Sequence, residues 1–375
     1  MKILHVTDCY LPRLGGIEMH VSDLAARQAA AGHDVTIFTR EAADHLDDGP
    51  VAVERMHCGP LARGARTRVR ELVTDRGIDV VHAHLSVASP FAWSAVRAVG
   101  RTTPTLATVH SVIPDVPSLV RSAVSLTRFP APSVTFTAVS DAAAEPWRRA
   151  MGETMPVHVL PNGIDPEQWE CHHIPSEGLF TVVAVGRFAR RKRQRALVTM
   201  LAQLHAELPD ELRLRAVIVG DGDQMRDVRE DVRRLGLTDV VELPGALNRD
   251  QIKFLLSQAD VFAAPATLES FGIAALEARC AGVPVVAMRQ AGTREFVRDE
   301  CEGLLVDNDH EMSNALLRLA LDRPLRDRIA AHNASTTPDM AWPEVLAQHD
   351  ALYLRAAARV RHRSRPRRLG SVLTT

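Results

Sequence analysis

Short apolar segments alternate with amphipathic segments along most of this chain. Residues 2–7 (KILHVT) form the first apolar segment, and in residues 17–31 apolar side chains recur at the spacing of one helix face before Gly32 ends the pattern. Further β-branched segments of strand length follow at 34–39, 80–84, 105–110 and 133–140. Buried strands separated by helices predict a parallel sheet assembled from βαβ units.

A loop-like segment separates this series from a second one. Residues 160–178 (LPNGIDPEQWECHHIPSEG) are rich in proline, glycine, asparagine and aspartate, which favours a linker. Strand segments then recur at 181–187, 213–222, 239–245, 260–266 and 284–288, with helical segments between most of them. We therefore predict an α/β protein with two Rossmann-like, doubly wound parallel-sheet domains that face each other across a cleft.

The length of the chain, 375 residues, also favours two domains. The predicted N-terminal domain spans 1–165, a linker spans 166–178, and the C-terminal domain spans 179–341. A last helix at 342–361 is long enough to pack back on the N-terminal domain. Residues 362–375 form a basic tail that we expect to be disordered.

Composition excludes several classes of protein. The net charge is −1, and the five cysteines lie far apart without C-x-x-C spacing, so neither a disulfide framework nor a zinc knuckle is indicated. No segment has the roughly 18 consecutive apolar residues of a membrane span, and the apolar N-terminus is too short for a signal peptide. We expect a cytoplasmic protein, with peripheral contact at the inner face of the membrane as a second option.

Two carboxylates bracket an otherwise apolar segment, residues 269–277 (ESFGIAALE). Glu269 precedes a predicted helix at 271–281, whereas Glu277 lies inside that helix on the same face as Ile273 and Ala274. We expect Glu277 to point into buried surroundings, where it needs hydrogen-bond donors. Two kinds of partner remain open, a cation from another element or a pair of sugar hydroxyls.

The start of the same helix suits a phosphate group. The backbone amides of Phe271, Gly272 and Ile273 have no partners inside a helix, and Gly272 permits close approach of a ligand. From Phe271 to Glu277 the helix rises about 9 Å, which is comparable with the separation of ribose and hexose across a diphosphate. The segment therefore indicates a site for a nucleotide sugar.

Motifs along nearly the whole chain carry a resemblance to a known family. ESFGIAALEARCAGVPVVA resembles the signature of the GT-B fold retaining glycosyltransferases of family four, the glycosyl transferases group 1. Other segments stand in the order and spacing of that family: PRLGGIEMHV, TVH, VSD, PNGID, VGRFARRKRQ, VGDGD and AGTREFV. The family resemblance implies that the N-terminal domain binds the acceptor and the C-terminal domain binds the nucleotide-sugar donor.

The resemblance also implies roles for individual residues. Arg187 and Lys192 are the basic pair that neutralises the donor diphosphate, and Glu269 holds the transferred hexose. His110 is the catalytic-centre histidine that hydrogen-bonds to that sugar. The remaining implied donor contacts are Gly15, Gly16, Phe271, Gly272, Ile273 and Glu277, of which Glu277 meets the ribose.

Charged neighbours of these residues have simpler explanations. For Arg190, Arg191 and Arg193 we favour a solvated cationic surface. His82 and His84 form an H-x-H pair on one face of a predicted strand, but no further ligand cluster in the sequence completes a metal site around them. The letters GDGD fit a glycine turn of the family better than a metal-binding D-x-D motif. We predict no metal and no cofactor.

The implied function is enzymatic. A metal-independent, retaining transferase would move a hexosyl unit from a UDP-sugar or GDP-sugar to a hydroxyl of a glycan, a glycolipid or a small molecule, as a step of glycan biosynthesis. Two alternatives remain, a nucleotide-sugar epimerase of the GT-B fold and a non-catalytic binding protein built on that fold. Nucleoside diphosphate release that depends on an acceptor distinguishes transfer from both.

Basic segments add a hypothesis about partners. Residues 359–368 (RVRHRSRPRR) and the arginines at 63, 66, 68 and 70 could attract anionic lipid or a phosphorylated acceptor, although a solvated tail is the simpler interpretation. Nucleic-acid binding is not expected, because no aromatic residues interleave with these arginines.

Overall fold

The computed structural model describes residues 1–13, 15–43, 51–59, 62, 64–86, 89–113, 134–151, 156–174 and 176–364. The chain forms two compact units. The first comprises 1–139, 144–160 and the chain from residue 346, and the second comprises 140–143 and 161–345. Each unit contains one parallel sheet packed against helices. The prediction of two α/β domains with parallel sheets is confirmed.

The sheet of the first unit has, in the described residues, seven parallel strands in the order β3-β2-β1-β4-β5-β6-β7. Its central strands are buried over their whole length, as expected for a parallel sheet with helices on both faces. The order of strands reverses between β1 and β4, which makes the loops after these strands a switch point where ligands bind in such sheets. The strands are β1 Lys2–Thr7, β2 Asp34–Thr39, β3 Ala52–Arg55, β4 Val80–Leu85, β5 Thr105–Val109, β6 Val134–Ala138 and β7 Val157–Val159.

In the part of the second unit that the structure describes, the sheet has six parallel strands in the order β10-β9-β8-β11-β12-β13. Here the order reverses between β8 and β11, so the loops after these two strands start side by side at the carboxyl edge of the sheet. The strands are β8 Leu179–Val185, β9 Arg213–Val219, β10 Val241–Gly245, β11 Val261–Ala264, β12 Val285–Met288 and β13 Gly303–Val306.

Helices connect most of these strands. Among the described residues of the first unit they are α1 Gly16–Ala30, α2 Ala65–Arg76, α3 Pro90–Val99 and α4 Asp141–Met151, the last of which starts in the second unit. In the second unit they are α5 Pro166–Trp169, α6 Gln194–Glu207, α7 Met225–Arg234, α8 Arg249–Leu256, α9 Ile273–Cys280, α10 Asp309–Leu321 and α11 Arg323–Ser335. Single 3₁₀ turns occur at Arg190–Lys192 and Gly292–Glu295.

The last helix, α12 Trp342–Ser364, begins in the second unit and belongs to the first unit from Leu346 onward. Leu352, Tyr353 and Ala356 of this helix are part of the same buried cluster as Ile3 and Leu106 from the first sheet. Apolar burial of this kind contributes about 25 cal/mol per Å², so the helix is an integral part of the first unit's core. It extends to Ser364, beyond the predicted end at 361.

Two further details differ from the sequence-based expectation. The segment predicted as a linker, 166–178, begins with the short helix α5, whose Trp169 is buried, and the whole segment belongs to the second unit. The strands β3, β7 and β13 were not predicted. All three lie at the edge of a sheet with one neighbouring strand, and partial burial of β3 and β7 leaves these two a weaker apolar pattern.

Candidate active site

Residues predicted to bind the donor converge at the switch point of the second sheet. Arg187 and Lys192 lie in the loop after β8, and Glu269 lies in the loop between β11 and α9. Because β8 and β11 are hydrogen-bonded neighbours, parallel strands bring both loops to one edge of the sheet. Lys192 and Glu269 are 77 positions apart in the sequence, and the strand order makes them neighbours.

The loop that carries Arg187 is held by the glycine turn of the VGDGD motif. Phe188 N donates to the Asp221 carbonyl over 2.9 Å, and Gly222, with a φ of 155°, approaches the Phe188 backbone so closely that a Cβ would lie 2.4 Å from its carbonyl oxygen. Only glycine fits such an approach. The VGDGD motif therefore forms a glycine turn that supports the loop carrying Arg187. The Arg187 side chain itself is exposed.

Lys192 and Glu269 form an ion pair between the two loops. Lys192 Nζ donates to Glu269 Oε2, while Glu269 Oε1 accepts a 3.1 Å hydrogen bond from Ser270 N. The two side chains are 26% and 17% exposed, which leaves both groups accessible to a ligand. In this arrangement the cation and the carboxylate predicted to meet the donor already hold each other in position.

The helix that follows Glu269 presents an uncapped N-terminus. It begins at Ile273 rather than at the predicted Phe271, and its N-cap is Gly272, with a φ of 90° and no side-chain cap. A Cβ on Gly272 would lie 2.5 Å from Thr293 Cγ2 in the AGTREFV motif. Helix N-terminal amides and the partial positive charge of the helix attract anions, so this end suits a phosphate.

Glu277 lies deeper in the same helix, and its surroundings differ from the prediction. The buried side of α9 is formed by Ala275, Leu276 and Ala278, whereas Glu277 shares a half-buried face with Ile273. The expectation that the Glu277 carboxylate points into buried surroundings was wrong. The buried residues flank Glu277 in the sequence and therefore lie on the opposite side of the helix. A half-buried carboxylate remains compatible with binding a polar ligand.

The buried charge of α9 is instead Arg279. Its guanidinium lies 3.6 Å from Glu302 Oε1, and both side chains are at most 8% exposed. Glu302 also accepts hydrogen bonds from Arg298 and His332. Burial raises the pKa of Glu302, but these hydrogen bonds and the charge of Arg279 outweigh it and lower the pKa to about 2.

Among the arginines beside Lys192, one is more ordered than predicted. Arg190 and Arg191 are exposed, in agreement with a solvated surface. Arg193, however, contacts both carboxylate oxygens of Asp309 at 2.8 and 2.7 Å and the Pro265 carbonyl at 3.1 Å. The prediction of a solvated side chain was therefore wrong for Arg193, which fixes the turn that presents Lys192.

The predicted residues of the first unit also lie at its switch point. Gly15 and Gly16 follow β1, with Gly16 as the first residue of α1. A Cβ on Gly15 would lie 2.4 Å from Glu18 Oε2, because the buried Glu18 carboxylate turns back over this loop and pairs with Arg13. Gly16 has open space around it, so its backbone is accessible to a ligand.

His110 follows β5 and belongs to a buried group of histidines. Its Nε2 lies 3.0 Å from His84 Nδ1, and its ring centroid lies 5.5 Å from that of His20 on α1. Burial lowers the pKa of His110 to about 3 and that of His5 to about 4, and it also lowers the pKa values of His20, His82 and His84. These imidazoles are therefore neutral at pH 7.

The H-x-H pair has a third member that the sequence analysis did not connect with it. His5 on β1 lies beside His82 and His84 on β4, with one ring nitrogen of each within 4.8 Å of the others. The register of β1 against β4 brings the three histidines together. The alternation of side chains between the two faces of β1 could have suggested this grouping from the sequence. A second such group, Cys301, Glu302 and His332, has the guanidinium of Arg298 at its carboxylate.

No helix in the described part of the chain is both long enough and apolar enough to cross a membrane. Of the basic segments, Arg68 pairs with Glu54 and Glu71 on the surface of the first unit. Arg63 and residues 365–375, which hold most of the predicted tail, lie outside the described residues.

Comparison with known proteins agrees with this geometry. Residues 14–168 match the family model Glycosyltransferase Family 4, and residues 168–335 match the model Glycosyl transferases group 1. A GDP-mannose-dependent alpha-(1-6)-phosphatidylinositol monomannoside mannosyltransferase of Mycobacterium tuberculosis is 29% identical over 92% of this chain and 96% of its own length. A D-inositol 3-phosphate glycosyltransferase of Xylanimonas cellulosilytica is 26% identical, with 92% and 93% covered.

Solved structures share the fold. A glycosyltransferase of Rickettsia africae superimposes with a TM-score of 0.73 at 18% identity, covering 95% of this chain and 98% of that one. Anabaena HepE, solved in complex with UDP and glucose, superimposes with a TM-score of 0.70 at 22% identity, covering 97% and 99%. These solved structures show the GT-B fold, and the two consecutive family models, which together match residues 14–335, show that the chain belongs to the group 1 glycosyltransferases of family 4.

Proposed function

We propose that this protein transfers a hexosyl unit from a nucleoside diphosphate sugar to an acceptor hydroxyl, with retention of configuration and without a divalent metal. The observation that carries the proposal is the half-site between β8 and β11. There the Lys192–Glu269 pair and the uncapped N-terminus of α9 lie at one sheet edge. A cation, a sugar-binding carboxylate and an anion-binding helix end are the groups that such a donor requires.

Each group has a defined part in the proposed reaction. The bond from the anomeric carbon to the diphosphate oxygen breaks, and the acceptor oxygen forms a bond to the same carbon on the same face. The acceptor proton passes to the leaving phosphate oxygen. Lys192 and Arg187 stabilise the negative charge that develops on the diphosphate, and the amides at Gly272 and Ile273 bind a phosphate. Glu269 accepts hydrogen bonds from hydroxyls of the hexose.

The remaining implied contacts complete this assignment. Glu277, four residues into α9 from Ile273, binds the ribose hydroxyls, and its half-buried position supports this role. In the first unit, His110 meets the transferred sugar, and the Gly15–Gly16 backbone approaches the donor phosphate or the acceptor. The neutral state of His110 supports a hydrogen-bonding role rather than an acidic one.

Two of the similar proteins support the proposed classes of donor and acceptor. The name of the mycobacterial relative specifies GDP-mannose and a phosphatidylinositol mannoside, and HepE was solved with UDP and glucose. We propose a GDP-hexose or UDP-hexose as donor and a glycan or glycolipid hydroxyl as acceptor. Thermal unfolding in the presence of GDP, UDP and their hexose conjugates identifies the base, because only a ligand that binds the folded state raises the Tm.

The decisive assay measures nucleoside diphosphate release with the donor so identified. We expect release to require a hydroxyl acceptor, such as an extracted glycolipid fraction, and to continue in excess EDTA. NMR of the product should show the anomeric configuration of the donor. Conversion of the donor to its epimer without an acceptor would contradict transfer and favour the epimerase alternative.

Variants of the ion pair test the site itself. We expect Lys192→Ala and Glu269→Ala each to lower kcat/KM by about 10²-fold or more, since each removes a fixed charge that acts on the transition state. Arg191→Ala is the matched control, because Arg191 is an exposed cation of the same turn. Equal losses in the control and in Lys192→Ala would show that general surface charge, rather than this site, determines the rate.

A further inference from the structure

A continuous chain of hydrogen bonds connects the last helix to His110 inside the first unit. Gln28 Nε2 donates to Tyr353 Oη over 3.1 Å, and Gln28 Oε1 lies 2.7 Å from His5 Nε2. His5 Nδ1 then lies 2.9 Å from His84 Nε2, and His84 Nδ1 lies 3.0 Å from His110 Nε2. All of these side chains are buried, so bulk water is largely excluded from these bonds.

The amide of Gln28 sets the direction of every bond that follows. With Gln28 Nε2 directed at the Tyr353 hydroxyl, Gln28 Oε1 faces His5 and can only accept, which places the proton of neutral His5 on Nε2. His5 Nδ1 is then an acceptor, which requires the proton of His84 on Nε2. His84 Nδ1 becomes an acceptor in turn and takes the proton of His110 Nε2. The same logic therefore gives all three histidines the Nε2–H tautomer.

We propose that Gln28 and His5 are positioning residues that hold His110 in the Nε2–H tautomer, so that His110 meets its ligand only as a hydrogen-bond acceptor through Nδ1. This inference rests on the proposed function for the identity of the ligand. An unprotonated ring nitrogen accepts a hydrogen bond, so it favours a ligand group that donates one, such as a sugar hydroxyl. It repels the oxygens of a phosphate. His110 thus contributes to selecting a hydroxyl-bearing sugar group at this position.

A metal centre at His5, His82 and His84 is the other use of these imidazoles, and the contacts disfavour it. Both ring nitrogens of each residue already have hydrogen-bond partners, Tyr353 and Thr108 in the case of His82. The 2.9 Å between His5 Nδ1 and His84 Nε2 is shorter than the ~3.3 Å separating two tetrahedral ligands of zinc. The group is also fully buried, and among the residues that the structure describes no carboxylate belongs to it that could offset a divalent charge.

The first test requires no substrate and uses a variant only to assign the His110 signal. Long-range ¹H–¹⁵N correlation spectra of the full chain with labelled histidine distinguish a protonated ring nitrogen from an unprotonated one. We expect His110, assigned as the signal lost in His110→Gln, to be neutral and protonated at Nε2 at pH 7. An Nδ1–H tautomer or an imidazolium would overturn the proposal, and so would a stoichiometric metal found by elemental analysis of the purified protein.

The second test interrupts the chain of hydrogen bonds at a distance from His110. In His5→Phe, His84 Nε2–H loses its acceptor, and we expect the His110 signal to change to the Nδ1–H tautomer or to a mixture. His82→Phe is the matched control. His82 is the strand neighbour of His5 and equally buried. Its ring nitrogens bond to Thr108 and to the Tyr353 hydroxyl at the start of the hydrogen-bond chain, so its loss leaves the bonds between Gln28 and His110 in place. The same change in both variants would mean that packing of the buried side chains, rather than the chain of hydrogen bonds, sets the tautomer of His110.

Gln28→Leu provides an independent break should His5→Phe fail to fold, and it should alter the His110 tautomer in the same way. Transfer assays give the functional readout. We expect His5→Phe to raise KM for the donor about 5-fold to 10-fold, the effect of one hydrogen bond to the sugar. An Nε2–H tautomer with no transferase activity would refute the proposed function and leave the tautomer assignment intact. An altered tautomer with unchanged KM would refute the selection role of His110.

Discussion

At the scale of single residues, the donor half-site depends on backbone positions where a side chain is costly. Gly272 has a φ of 90° at the start of α9, and Arg193 has a φ of 60° beside Lys192. The left-handed conformation costs a residue with a Cβ about 1–2 kcal/mol. At Arg193 the contacts with Asp309 and Pro265 offset this cost, which explains how arginine occupies a backbone conformation that favours glycine.

Gly272→Ala tests the close approach at the phosphate end of the site. A Cβ would add the left-handed strain and would also lie 2.5 Å from Thr293 Cγ2. We expect the free energy of unfolding of the second unit to fall by about 2–4 kcal/mol in urea titrations. The nucleoside diphosphate that raises the wild-type Tm should bind more weakly to this variant.

Gly236→Ala separates the two contributions. Gly236 has a φ of 71°, but a Cβ added there would have no atom within 4 Å, so this position reports conformational strain alone. We expect a loss of about 1 kcal/mol and no change in nucleotide affinity. Equal losses at both glycines would show that Thr293 moves freely and that the fit around Gly272 is not tight.

At the scale of elements, Glu302 joins three separate parts of the second unit. Its carboxylate contacts Arg279 of α9, Arg298 of the preceding loop and His332 of α11. The side chain is 1% exposed, so its charge is stabilised almost entirely by these partners. The position of α9, which carries the candidate phosphate and ribose contacts, therefore depends on a carboxylate outside the site.

Glu302→Gln should destabilise the protein in a pH-dependent way. At pH 7 the loss of the ionised partner leaves buried Arg279 uncompensated, and we expect a decrease of about 3 kcal/mol. Because the pKa of Glu302 is lowered from 4.5 to about 2 on folding, its stabilisation is complete above pH 4.5 and is lost as the pH falls towards 2. The difference between variant and wild type in urea unfolding should shrink over that range.

Glu300→Gln is the control for this pH dependence. Glu300 pairs with Arg318 at 2.7 Å, but the two side chains are 51% and 48% exposed. Exposed pairs contribute about 0–1 kcal/mol, so this variant should stay within that range at every pH. A Glu302→Gln difference that does not diminish at low pH would contradict the lowered pKa.

At the scale of the whole molecule, each of the two compact units has a buried apolar cluster of its own among the described residues. The cluster of the second unit contains Phe180, Leu201, Val261 and Leu316, while the cluster of the first unit contains Ile3 and the distant Tyr353. The core of the first unit thus includes α12, which follows the second unit in the sequence. Synthesis of the first unit's sheet therefore precedes the helix that covers part of it.

Tyr353→Ala should unfold the first unit selectively. Tyr353 is fully buried, and its hydroxyl contacts Gln28 and His82, so we expect a loss of about 3–5 kcal/mol. Leu354→Ala is the control, since Leu354 is 62% exposed and should change stability little. Limited proteolysis with fragment mapping should locate new cleavage sites in the first unit. Cleavage spread evenly over both units would show that they unfold together.

The prediction from sequence was strongest where local pattern and structure coincide. The strand segments 2–7 and 34–39 match β1 and β2, because fully buried parallel strands are continuous apolar runs that need no tertiary context to recognise. The prediction failed for Glu277, and the buried Arg279 was not predicted. Helical periodicity placed both on α9, but which side packs on the sheet depends on neighbours that lie elsewhere in the chain.

The sequence alone therefore determined the two-domain α/β class, most strand and helix positions and the family that its motifs resemble. These features arise from local pattern, which the order of residues contains directly. Only the tertiary structure decided that Lys192 pairs with Glu269, that His5 joins His82 and His84, and that Tyr353 closes the first core. Each of these contacts crosses between strands or helices far apart in the chain, so strand order and register, rather than any local pattern, bring the residues together.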